Sequence, residues 1–320
     1  MSGRPAVGLL MALALAMPLA ACSRAPKLLA QAQVPGASEV RWVAGDTELA
    51  VSMLGSGVLL LDATTGQERA AWRAANRLGH AVRGLAASAL GETLAVATAE
   101  SVRVFATRGL VPLLATPGDA RSVALSDDGG TLAWSDGTVG RVVDVATGAI
   151  FSQGTWPIER DALAWGPLLR SFAVPIGTSV HFLRGDSLSD VTLGPFEEGV
   201  PRQLAFSTSG ATLAVLEAAG DVSFWDVEHD RLRWRLSLGG PARAEDFAMS
   251  GNTWTLATSN GGRARLLWAY RGRTLADWSP HGGAEVRDLA FSLDGRRLAT
   301  VGAEGRVRVW AVPAPRRERS

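Results

Sequence analysis

Close to its C-terminus the chain reads Val286-Arg287-Asp288-Leu289-Ala290-Phe291-Ser292-Leu293-Asp294-Gly295, a run of β formers that stops at the hairpin signal Leu293-Asp294-Gly295. Arg297-Leu298-Ala299-Thr300-Val301 follows, then a second turn at Ala303-Glu304-Gly305. After it, Arg306-Val307-Arg308-Val309-Trp310 alternates polar and apolar residues, as a half-buried strand does. Three strands joined by tight turns are therefore expected here.

The same unit recurs upstream. A Leu-Ala anchor followed by β formers appears as Leu49-Ala50, Leu94-Ala95, Leu132-Ala133, Phe172-Ala173, Leu213-Ala214, Leu256-Ala257 and Leu298-Ala299, at spacings of 45, 38, 40, 41, 43 and 42 residues. A repeat of about 42 residues carrying several short strands points to antiparallel sheets arranged as blades. No helical periodicity follows the first residues of the chain. The expected fold is all-β: seven four-stranded blades spanning residues 38–312.

These residues resemble the WD-repeat β-propeller family. The likeness rests on Ala290-Phe291-Ser292-Leu293-Asp294-Gly295, on Trp225-Asp226, and on Trp268 and Trp310 at the equivalent strand end without the Asp. The turns Asp62–Gly66 and Asp144–Gly148 fit that family's third-to-fourth strand connection. His80 and His281 fall near its Gly-His site, and the resemblance implies a structural hydrogen-bond network of His281, Thr300 and Trp310, with Glu304 in the place of an aspartate. Most other repeats lack the set. The resemblance also implies a rigid platform for protein assembly.

A ring must close, and the seventh repeat ends after its third strand. Pro313-Ala314-Pro315 and the charged tail to Ser320 cannot pair as a central strand. Residues 28–34, Leu-Leu-Ala-Gln-Ala-Gln-Val, are expected to supply the missing fourth strand and hide the open edge.

The residues before that strand have a different character. Arg4 precedes an apolar run from Ala6 to Met17, then Pro18 and Leu19-Ala20-Ala21-Cys22. A short positive region, an apolar stretch of about a dozen residues and small residues before a cut describe a secretory signal, too short for a comfortable membrane span. The Leu-Ala-Ala-Cys ending resembles the lipobox of bacterial lipoproteins, in which the cysteine thiol is acylated and the peptide is cut before it. That implies a signal over residues 1–21, a lipidated Cys22, and a short tether and closing strand over 22–37. Ser23 in place of Asp resembles the sorting signal of outer-membrane lipoproteins.

Composition narrows the rest. The 320 residues are 47% hydrophobic and 20% charged, the balance of a globular chain. Thirty-two basic residues face 31 acidic ones, and without Arg4 the two balance, so no global field would steer a polyanion. Nucleic acid is not an expected partner. One cysteine permits no internal disulfide and no cysteine-rich zinc site. His80, His181, His229 and His281 show no metal-pair spacing, there is no Gly-x-Ser-x-Gly elbow, and the sole lysine, Lys27, excludes a P-loop. No cofactor and no catalytic residue is expected.

One charge pattern stands out. Eleven residues before each anchor lie Arg83, Arg121, Asp161, Arg202, Glu245 and Arg287, and Arg41 joins them if the first repeat has a shorter turn. In a propeller this position starts the innermost strand, at one rim of the channel. Either the charges form a ring that receives an acidic peptide, a carboxylate or another anion through arginine forks, or they are repeat consensus with solvated, neighbour-paired side chains. Of the eleven tryptophans, Trp72, Trp165 and Trp278 read as packing residues, whereas Trp156, in a blade-to-blade connection on the rim face, is read either as an exposed binding anchor or as a plug of its loop. The reading from sequence is an envelope lipoprotein, monomeric by itself, whose propeller binds envelope proteins. The alternative is a propeller enzyme or small-ligand binder that uses the channel.

Overall fold

All seven anchors lie on the second strand of a four-stranded antiparallel sheet, and there both residues are buried. Ala50, Ala95, Ala133, Ala173, Ala214, Ala257 and Ala299 are fully enclosed, and the residue before each is at most 2% exposed. Adjacent residues on a strand point to opposite faces, so each blade packs on both sides against its neighbours. The computed structural model describes residues 25–55, 57–73, 82–156, 162–184, 187–196, 199–238, 244–253 and 255–313. Among them the chain forms 28 strands and no helix, from β1 (Leu28–Gln33) to β28 (Arg306–Ala311).

Blade 1 contains β2 (Ala37–Val43), β3 (Glu48–Met53), β4 (Gly57–Asp62) and β5 (Glu68–Arg73), paired in chain order. Five more blades repeat that order, with innermost strands β6 (Val82–Ala87), β10 (Ser122–Leu125), β14 (Ala164–Gly166), β18 (Pro201–Phe206) and β22 (Asp246–Met249). Blade 7 consists of β26 (Val286–Phe291), β27 (Arg297–Gly302), β28 and β1. The N-terminal strand therefore closes the last blade, as expected, pairing antiparallel from Leu28↔Trp310 to Gln33↔Arg306.

The innermost strands contact one another around the ring, and equivalent residues bond across successive seams, so all seven run the same way along the channel. This sorts the connections between two faces. Turns after the first and third strands share one face, here the turn face, and the connections into each innermost strand share the other, the mouth face. On the turn face the first turns touch in series: Ala44 and Gly45 donate to Gly91 and Leu90 carbonyls, Ala89 donates to Asp127, and Thr208 donates to Gly251. Gly91 has φ +67°, and a Cβ there would collide with Val43, so this contact requires glycine.

The Asp-x-x-Thr-Gly turns behave as the resemblance implies. Asp62 Oδ1 accepts the Thr64 and Thr65 amides and the Thr65 hydroxyl, and Asp144 Oδ1 does the same for Thr147. These bonds, with the Arg69 guanidinium on Asp62 foremost, hold the Asp62 carboxyl far below the usual carboxylate range.

Candidate functional site

The innermost strands place side chains around the channel in levels. The outermost level is the rim foreseen from sequence. Arg83, Arg202 and Arg287 occupy the bulge of β6, β18 and β26, and Arg121 and Glu245 stand just before β10 and β22. A bulge re-aims a side chain away from the ladder, here at the mouth. Asp161, His80 and Cys22 lie outside the described residues.

Arg41 does not belong to this level. It pairs with Ala50, and the residues that pair with the other six anchor alanines are Ala86, Ala124, Ala164, Ala205, Ala248 and Ala290. Ser38 is the residue of blade 1 that corresponds to Arg287. The expectation failed because it allowed the first repeat a shorter first turn: Arg41↔Ala50 and Ala290↔Ala299 are equally far apart in sequence, and the position eleven residues before Leu49 is Ser38. Arg41 therefore stands deeper in the channel, where every other blade has a methyl group.

Trp156 is a second correction. It is 3% exposed and packs among Ala133, Val142, Phe172 and Val174. A Cβ on Gly140 would overlap its ring, so that glycine makes the space it fills. The indole is part of the core and is not an exposed anchor. The large apolar ring gains more from closing the seam between blades 3 and 4 than from facing water.

Most of the rim charges have neighbours. Arg83 Nη1 bonds Asp119, Arg287 Nη1 donates to the Ala37 carbonyl (2.9 Å), and Glu245 Oε2 accepts the Gly261 amide (2.9 Å). One level below, sequence reasoning missed a set of acids: Glu39, Asp246 and Asp288. They line, with Arg202, Glu245 and Arg287, a mouth-side cavity of about 460 Å³. Glu285 also borders it, so the lining carries more acidic than basic side chains, the reverse of an arginine ring.

Two of these acids, and a serine and a glutamine at the same level, act as clasps between blades. Asp288 Oδ2 accepts the Val40 amide (2.7 Å), and Glu39 Oε2 accepts the Leu85 amide (2.8 Å). Ser122 Oγ accepts from Leu163 (3.2 Å), while Gln203 both accepts from the Phe247 amide (3.1 Å) and donates to its carbonyl (3.0 Å). Arg41 serves both carboxylate clasps: Nη1 lies 2.7 Å from Asp288 Oδ2 and Nη2 3.9 Å from Glu39 Oε2, while Nε donates to the Leu85 carbonyl. Burial pushes the Asp288 carboxyl above its usual range, the Arg41 charge opposes that, and nearby Glu39 adds to it. A second cavity of about 400 Å³ opens toward the turn face and is bordered by Arg41, Leu85, Val123 and Ala290. The Arg41–Asp288 pair thus stands between the two halves of the channel.

Blade 7 also holds the expected network. Trp310 Nε1 donates to Thr300 Oγ1 (3.0 Å), Thr300 Oγ1 lies 2.9 Å from His281 Nε2, and His281 Nδ1 lies 2.7 Å from Glu304 Oε1. A carboxylate only accepts, so Nδ1 carries the proton and the Thr300 hydroxyl donates to Nε2. Burial holds the His281 pKa below its ordinary value, although Glu304 pulls the other way. Among the described residues no group of three or more His, Cys, Asp or Glu is placed to hold a metal ion.

Residues 272–311 match the family model described as WD domain, G-beta repeat. The matched segment takes in the outer strand of blade 6 and three strands of blade 7, so sequence repeat and blade are offset by one strand. The chain is similar over 90% of its length to the whole β-propeller domain of Cps50 (Swd1) from Myceliophteria thermophila, with a TM-score of 0.77 at 13% identity. At that identity the likeness is one of fold. No curated protein matches the sequence.

Proposed function

We propose that this chain is a lipid-anchored envelope protein whose propeller serves as a non-catalytic platform for protein assembly, with the mouth face as its recognition surface. The observation that carries the reading is the mouth itself. A closed ring of blades presents mixed charge at the mouth: Arg202, Glu245 and Arg287 line a cavity of about 460 Å³, and Arg83 and Arg121 continue the rim beyond it. WD-type propellers commonly bind proteins, which supports the class of function, although a fold alone does not name a partner. The anchor rests on Leu19-Ala20-Ala21-Cys22 after the apolar run, and the Ser23 that follows favours the outer membrane. A tether of few residues raises the local concentration of the platform at the membrane.

The test is photocrosslinking from residue 202 in the native envelope, with Arg83→Glu and Cys22→Ala as variants. The expected result is a defined captured protein, lost on charge reversal, and release of the Cys22→Ala chain from the membrane fraction. Capture that is indifferent to Arg83→Glu would remove the mouth from consideration. A second reading, a small ligand in the channel, has the cavity in its favour. Its acidic lining suits a cation better than the anion expected from a ring of arginines.

A further inference from the structure

The two faces of the ring differ in a way the mouth does not explain. Among the described residues, large apolar side chains stand in solvent at the tips of first turns: Leu90 (59% exposed), Leu168 (45%) and Leu293 (43%). Tyr270, in a turn after a third strand, is 64% exposed, and all four residues lie on the turn face. Leu28 and Leu29 begin β1 at that same face. Among the described residues of the mouth face, the exposed large apolar side chains are Leu54 and Val200. Apolar turn tips on one face of a ring mark a surface that meets something other than water.

The path of the chain says what that is. β1 is the fourth strand of blade 7 and runs from the turn face to the mouth face, so its N-terminal end lies on the turn face. The Ala311 amide donates to the Lys27 carbonyl (2.8 Å), and Val312 donates to the Arg296 carbonyl (2.8 Å), which ties both chain ends to the first turn of blade 7. Leu293 sits in that turn. Cys22 precedes Ala25 by three residues, a span of at most about 11 Å when fully extended. Exposed Lys27 and Arg296 flank the entry point, and Asp294 between them turns its Oδ1 onto Ser292 and the Arg296 amide. Basic side chains beside apolar ones suit a bilayer with anionic headgroups.

We infer that the turn face lies against the lipid bilayer, with Leu293, Leu28 and Leu29 nearest the anchor and Leu90 and Leu168 further round the ring, so that the mouth points away from the membrane. This rests on the lipidation of Cys22 proposed above. It gives that anchor a second function: the tether sets orientation as well as location, and the rim residues become the part of the molecule that a partner in the aqueous compartment meets first.

The test uses the full chain purified from membranes in its acylated form, with intact mass reporting acylation. Cys22 is the sole native cysteine and is occupied by lipid, so Leu293→Cys, Leu168→Cys, Leu54→Cys and Val200→Cys each give one site for an environment-sensitive dye. All four positions are exposed. In vesicles of phosphatidylethanolamine and phosphatidylglycerol containing spin-labelled lipids, dyes at 293 and 168 should lose about half or more of their emission, because interfacial apolar groups reach the acyl boundary. Dyes at 54 and 200 should lose none. Quenching at 54 and 200, or at no position in an acylated protein, overturns the orientation and leaves the anchor standing. A chain without acyl mass overturns both. Protection of 293 and 168 in native envelopes without quenching in vesicles overturns it too, because a protein then covers the turn face.

Discussion

Two kinds of seam hold the ring together. On both sides of blade 1, the neighbouring backbone amide is held by a carboxylate, Asp288 toward Val40 and Glu39 toward Leu85. Between blades 3 and 4, and between blades 5 and 6, the same bond is made by neutral groups, Ser122 and Gln203. The geometry is shared and the electrostatics are not. A buried carboxylate needs a cation or loses its charge, whereas a hydroxyl or amide needs neither. Arg41 meets that need, and it does so at the one level where every other blade has alanine. The consequence reaches beyond stability: Arg41 borders the turn-side cavity, and its partner Asp288 borders the mouth-side one.

Among the described residues, the seam between blades 7 and 1 also carries several further side-chain contacts. Trp42 Nε1 donates to the Ala290 carbonyl (2.9 Å), Arg297 lies over the Trp42 ring at 4.5 Å, and Asp46 accepts the Leu293 amide (2.9 Å). No peptide bond joins β28 to β1 inside blade 7, so the ring is completed there by pairing alone, and these contacts reinforce the region.

The comparison can be broken first at Arg41. Arg41→Ala leaves two carboxylates without their cation and should cost about 3 kcal/mol in urea unfolding, the lower end for a buried ion pair because Arg41 is partly exposed. Adding Glu39→Gln and Asp288→Asn should recover most of that loss. An Arg41→Ala cost no larger than that of a neutral clasp would remove the distinction between the seams. The neutral case is Ser122→Ala, which strands the Leu163 amide and should cost about 1 kcal/mol, since the bond is long and its loss affects one donor. A cost above that of Arg41→Ala would reverse the argument.

The smallest effect concerns pH in blade 7. Burial lowers the folded-state pKa of His281, so the unfolded chain binds the proton more readily. The contribution is complete above the unfolded value of about 6.5 and is lost as pH falls below it toward the folded value. His281→Gln keeps a donor for Glu304 and an acceptor for Thr300 without titrating. Between pH 7.5 and 5.5 the wild type should therefore lose more stability than the variant. Asp288, whose raised pKa acts with the opposite sign, cancels in that difference. Parallel losses would show that His281 takes up its proton equally in the folded and unfolded chain, so that burial in blade 7 does not disfavour its charge.

The rim shows how far sequence reasoning reached. Counting back from an anchor placed Arg83, Arg121, Arg202, Glu245 and Arg287 at one level, because strand and turn lengths are nearly constant in those repeats. It failed at Arg41, where a shorter first turn was allowed for the first repeat; the unmodified count falls on Ser38 and sets Arg41 against six alanines. Trp156 failed for a different reason: its neighbours in sequence say loop, and only its neighbours in space, Gly140 and Phe172 among them, say core.

What the sequence alone determined is everything that repeats or is local. Seven Leu-Ala anchors set the number of blades, the missing last strand required β1, and His281, Thr300, Trp310 and Glu304 sat at legible spacings within one repeat. What only the tertiary structure decided is everything that crosses a seam. Asp288 and Arg41 are 247 residues apart and meet because the ring closes. The acidic lining of the mouth, and the face on which β1 begins, follow from the same closure, since it alone sets which ends of which strands share a surface.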